Sequence, residues 1–91
     1  MKVIYRYDLD DWQHKDPTIQ LPLGRKIIKA AYHRGKLSIW AVVDPKVRSV
    51  DVKFVIVPTG GGFNDEFLDT HTHIDTVIDG PYIWHLYQHT P

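Results

Sequence analysis

The chain has 91 residues and no cysteine, and its eleven Lys and Arg side chains are balanced by eleven Asp and Glu. This length accommodates one domain with one small core, and the missing cysteines exclude a disulfide framework, thiolate metal centres and cysteine nucleophiles. Zero net charge disfavours a general nucleic-acid binder, which needs a basic surface to neutralise phosphates.

Alternation dominates the sequence. Val3, Tyr5, Tyr7 and Leu9 alternate with Lys2, Arg6 and Asp8, as in a strand with one apolar face, and this charged start lacks the uninterrupted apolar region of a signal peptide. A polar stretch up to Pro17 follows. Residues 18–21 form a short strand ended by Pro22-Leu23-Gly24, where proline removes a backbone donor and glycine admits positive φ. From Lys26 to Tyr32 the pattern places Ile28, Ala30 and Tyr32 on one face. Arg34-Gly35 then turns the chain into a strand over 36–43, apolar on both faces from Ile39 onward as in a central or covered strand. The run Ile39 to Val43 is the longest apolar one, far below the about 20 residues of a membrane helix. Residues 50–57 follow as another strand, ending at Pro58-Thr59-Gly60-Gly61-Gly62. Residues 63–69 can form one helical turn with Asn64 as its cap. The segments 73–78 and 82–88 pair as a hairpin around Asp79-Gly80. Seven strands punctuated by Gly and Pro turns predict a mainly β protein: a compact antiparallel β-sandwich or partly open barrel with at most one short helix, occupying residues 1–91 as one domain. Trp40 and Trp84 are expected to pack together at the centre of the core.

Leu21-Pro22-x-Gly24 followed by Ile27-Ile28, the strand Gly35-Lys36-Leu37-x-Ile39-Trp40-Ala41-x-Val43-Asp44, Phe54 before Thr59-Gly60, and the terminal Asp79-Gly80-Pro81-x-x-Trp84-His85-x-Tyr87 together span most of the chain. In this combination the sequence resembles a family of small, uncharacterised bacteriophage and prophage proteins known only as a domain of unknown function. The resemblance implies a phage or prophage origin and a compact β fold, and it supplies no catalytic residues.

The densest chemistry lies in Asp69-Thr70-His71-Thr72-His73-Ile74-Asp75. In an extended chain Asp69, His71, His73 and Asp75 share one side, a pair of imidazoles and a pair of carboxylates suited to zinc or manganese. The plainer reading is an exposed polar strand face, and with no second cluster obliged to converge there, the sequence assigns no metal and no cofactor. His85 and His89 lie on one strand face about 13 Å apart. That is too far to share an ion, and His85 is read as a hydrogen-bonding partner of a neighbouring strand or turn. Ser38 and Ser49, the only serines, have no nucleophile-elbow context.

Gly60, Gly61 and Gly62 can present backbone amides to an anion, although the Lys-Ser/Thr of a P-loop is absent and Asp65-Glu66 places negative charge where a phosphate would sit; a flexible loop is the plainer reading. Lys26, Lys29, His33, Arg34 and Lys36 form the one basic concentration. Tyr32 among them suggests a stacking platform, against the plainer reading of a solvated hairpin tip. Trp12, in its polar stretch, is expected to be a contact residue, because exposed tryptophan offers large area with little rotamer entropy to lose.

Small size, balanced charge, eleven aromatic side chains and no catalytic constellation predict a cytoplasmic, non-catalytic binding module rather than an enzyme. In this reading it is a phage accessory protein that engages a host protein, or a second copy of itself, in host takeover or anti-defence. The alternative is a small-ligand binder that sequesters a nucleotide immune signal, with the glycine loop and the 26–36 patch as one pocket. A hydrolase built on a metal at His71 and His73 is the third reading. No membrane contact is expected, and nucleic acid is the disfavoured partner.

Overall fold

The computed structural model describes residues 1–9 and 16–90. Among them the chain forms β1 (Val3–Leu9), β2 (Thr18–Pro22), β3 (Lys26–His33), β4 (Lys36–Val43), β5 (Ser49–Pro58), a helical turn α1 (Phe67–Thr70), β6 (His71–Asp79) and β7 (Tyr82–His89). Every pairing is antiparallel. One sheet has three strands in the order β1-β4-β3 and the other four in the order β2-β5-β7-β6, and they do not close into a barrel. The architecture is thus the expected sandwich. Trp12 lies outside the described residues.

The inward faces are built by alternation along the strands. Leu37 and Ile39 of β4 join Leu9 and Ala30 from the neighbouring strands, and Val52, Phe54 and Ile56 of β5 join Leu21, Val77 and Leu86 to form the opposing layer. Phe54 is fully buried and is the largest such side chain. Burying each of these aliphatic or aromatic groups contributes about 1.5–3 kcal/mol, which is what holds a chain without disulfides together. The two tryptophans do not occupy this centre. Trp84 is half-buried at the margin of the core, and Trp40 points away from it, between the inward Ile39 and Ala41. The apolar run 39–43 hid this, since both neighbours of Trp40 are as hydrophobic as a core residue. The helical turn also departs from expectation. It begins after Glu66 with no side-chain cap, and Asn64 contributes its carbonyl oxygen, 3.0 Å from the Phe67 amide, rather than its side chain.

Two bulges reset the alternation. In β3, Ile27 pairs with Ala41 and Lys29 with Trp40, so Ile28 is an extra residue and is left exposed, while Ile27 takes the inward place expected for Ile28. In β6, His73 pairs with Tyr87 and Asp75 with Leu86, which makes Ile74 the extra residue. Asp75 is thereby turned to the side opposite His73. There it bridges the sheets: its Oδ2 accepts the Ala30 amide of β3 at 2.9 Å and its Oδ1 accepts the Thr76 amide at 2.8 Å. β3 and β6 are edge strands of different sheets lying side by side without a ladder, and this carboxylate satisfies an amide that would otherwise be left unpaired in the gap.

Phe54→Ala is expected to cost about 3–5 kcal/mol, the usual range for an aromatic removed from a packed core. Asp75→Asn, nearly isosteric, sets an amide NH₂ against a backbone N–H and is expected to cost about 1–3 kcal/mol in urea unfolding. Stability equal to the parent chain in the asparagine variant would show that the junction does not depend on this carboxylate.

Candidate functional site

The outer face of the three-stranded sheet follows from β4 outward. With Leu37, Ile39, Ala41 and Val43 turned inward, Ser38, Trp40 and Val42 face out, and register sets Asp8, Arg6 and Ile4 of β1 beside them. On the other flank Lys29 stands opposite Trp40 and Lys26 opposite Val42. The bulge at Ile28 is responsible, because without it two lysines three residues apart would point to opposite faces. At the β3–β4 turn, Arg34 and Gly35 both take positive φ, 52° and 81°, which is the geometry that a two-residue hairpin loop requires. Arg6, Asp8, His33, Arg34, Lys36 and Ser38 line a cleft of about 270 Å³ at this end of the face.

Asp8 is the acid among these cations. Ser38 donates to its Oδ1 at 2.6 Å, Arg6 Nε lies 3.4 Å away and Lys36 Nζ 3.9 Å from Oδ2. The serine hydrogen bond, chiefly, and the two cations hold the Asp8 carboxyl below its ordinary range, against partial desolvation that acts the other way. Arg6 and Lys36 keep more than half of their side-chain surface in solvent, so pairing with Asp8 leaves both able to meet a further anion.

Tyr32 is not part of this face. It pairs with Leu37 and packs on the core, so the aromatic that stands among the cations is Trp40. Of the expected basic residues, Lys26, Lys29, His33, Arg34 and Lys36 are brought together, and Arg6 joins them from the N-terminal strand. Only the β1–β4 register supplies that last contact.

Gly60 and Gly61 belong elsewhere. They form a turn in which Gly61 N donates to Pro58 O at 2.9 Å, and a Cβ at Gly61 would lie 3.0 Å from that oxygen. With Val57, Thr59, Phe63, His85 and Tyr87 they line a second cleft of about 220 Å³ on the outer face of the four-stranded sheet. Gly62 does not line it. The two clefts share no residue, which corrects the expectation of one pocket formed by the glycine loop and the basic patch. His85 is fixed here by the Thr59 hydroxyl at 2.8 Å from Nε2 and the Thr76 hydroxyl at 3.1 Å from Nδ1.

The four-residue metal set also comes apart. His71 and His73 share the outer face of β6, but Asp69 sits in α1 and the bulge sends Asp75 to the other side. Among the described residues no three His, Asp or Glu side chains are grouped to hold a metal ion, and no helix is long and apolar enough to cross a membrane.

A family described as a domain of unknown function, DUF7352, matches residues 1–91. The chain belongs to that family. No curated protein and no solved structure matches it. In this DUF7352 chain the cationic face around Trp40 is the surface on which Lys26, Lys29, His33, Arg34 and Lys36 meet Arg6.

Because the folded pKa of Asp8 is depressed, its contribution to stability is present above the ordinary carboxylate value of about 3.9 and is lost as pH falls through the lowered folded value. Ser38→Ala removes the largest cause. Carboxyl-carbon NMR titration is expected to show the Asp8 pKa moving up toward its ordinary value, and the acid limb of the stability profile flattening accordingly. An unchanged Asp8 titration would contradict the assignment.

Proposed function

We propose that this DUF7352 protein is a non-catalytic binding module of a bacteriophage or prophage, working in the host cytoplasm, whose cationic sheet face engages an acidic segment of a host protein. One observation carries the reading: Arg6 and Lys29 flank the outward Trp40, Lys26 stands at the next pair, and Arg34 and Lys36 extend the same face to the hairpin end, while Asp8 is already occupied by Ser38, Arg6 and Lys36. Cations beside an indole recognise carboxylates by charge and the intervening side chains by stacking and apolar contact. The phage origin is supported by the resemblance carried by the Trp-Ala-x-Val-Asp and Ile-Trp-His strands.

A nucleotide-sequestering role draws less support. Ligand pockets that bury most of a small molecule measure about 300–1,000 Å³. The basic cleft and the glycine cleft are about 270 and 220 Å³ and lie on different sheets, so phosphates held by the basic face would be remote from the aromatic walls of the glycine cleft.

Titration of ¹⁵N-labelled protein with an oligo-glutamate peptide tests the reading. Shifts are expected at Arg6, Lys29, Lys36 and the Trp40 indole, with Lys29→Glu/Lys36→Glu weakening binding at least tenfold and added salt weakening it further. Arg34→Gly separates binding from folding. It should lower affinity while keeping or raising the melting temperature, since a non-glycine residue at φ 52° carries about 1 kcal/mol of strain. Shifts confined to residues 57–61 and Tyr87, or binding indifferent to charge reversal, would overturn the assignment. The host-protein element requires an acidic protein captured from host extract whose retention disappears in the charge-reversed variant.

A further inference from the structure

The β6–β7 register sets His71 opposite His89, with ring centroids 4.9 Å apart and ring planes at 59°. His71 is held from its other side. Its Nδ1 lies 3.1 Å from the Phe67 carbonyl oxygen and 2.9 Å from the Thr70 hydroxyl, and its ring stacks on Phe67 at 3.9 Å and 8°. With Nδ1–H donating to the carbonyl, Nε2 keeps its lone pair. This is how a metal-bound imidazole is usually oriented, its second nitrogen anchored to a backbone oxygen. The strand end that carries His89 is itself pinned, because the Thr90 amide donates to Thr70 O at 2.7 Å.

Coordination geometry discriminates among the histidines of this face. A nitrogen–metal bond of about 2.0–2.1 Å places the ion roughly 3.2 Å from each ring centre, so two imidazoles on one ion have centroids about 4.5 Å apart at a right angle and about 5.2 Å apart at the tetrahedral angle. The 4.9 Å between His71 and His89 falls inside that interval. His73 and His85 do not fit. Their centroids are 6.4 Å apart, which would require the two rings to lie in line across the ion, and both bond the Thr76 hydroxyl.

We propose that His71 and His89 form a site for one divalent first-row transition-metal ion, with water completing its coordination. Two imidazoles and open positions make an exchangeable site rather than a structural cage, and the affinity should follow the general ligand-field order, with Cu²⁺ above Zn²⁺. A bound ion ties the start of β6, directly after α1, to the end of β7. The site lies on the sheet opposite the cationic face, so it stands or fails independently of the proposed function.

Calorimetric titration of the full chain with copper sulfate, and separately with zinc chloride, in a non-chelating buffer supplies the test. The expected result is one ion per chain, Cu²⁺ tighter than Zn²⁺, at least tenfold weaker binding in His71→Ala and in His89→Ala, and binding within twofold of the parent in His73→Ala. Substoichiometric Cu²⁺ should broaden the His71 and His89 ring signals of the unmodified protein first, a readout that needs no variant to fold. No saturable binding of either ion, parent-like affinity in either His71→Ala or His89→Ala, or broadening centred on His33, His73 or His85 would overturn the proposal.

Discussion

The two sheets of this DUF7352 chain meet where no ladder joins them, and a single carboxylate occupies that gap. Asp75 accepts the Ala30 amide across the junction and the Thr76 amide beside it, so both of its oxygens are used by backbone donors. A buried N–H without a partner costs about 1–3 kcal/mol, comparable with the burial of one aliphatic side chain, and a small core has few such contributions to lose. The bulge at Ile74 makes the contact possible by turning Asp75 away from the face of His73.

The same device shapes the opposite sheet. The bulge at Ile28 restores inward packing for Ala30 and Tyr32 and, in doing so, places Lys26 and Lys29 on the face of Trp40. Packing and charge segregation are thus one event. Each extra residue inverts the facing of everything after it, so one register shift fixes the facing of the inward set and of the cationic set together. The zero net charge conceals this arrangement, since cations gather on one sheet while the imidazoles of His71, His73, His85 and His89 gather on the other.

Strand positions, the β-sandwich class and the turns were legible because period-two alternation and Gly or Pro punctuation are local signals. Most of the basic residues were legible for the same reason, lying within one hairpin. What failed were inferences that needed facing or partnership. Tyr32 and Trp40 exchange roles, because nearness in sequence set Tyr32 among the hairpin cations although it shares the inward face of Ala30, and the apolar run 39–43 gave no sign that Trp40 faces out. The set Asp69, His71, His73 and Asp75 looked coherent in an extended chain, yet α1 holds the first carboxylate and the second bulge diverts the other.

The sequence by itself determined that this is a small, disulfide-free, antiparallel β protein with a basic hairpin and a histidine-bearing one, since composition and periodicity act over a few residues. Only the tertiary structure decided that Arg6 joins the hairpin cations beside Trp40, that His71 meets His89 rather than His73, and that the glycine turn and the basic patch face different ways. Those outcomes depend on cross-strand register and on where an extra residue enters a strand. Both are settled by side-chain packing between sheets and by the need to pair every buried amide, which no local pattern records.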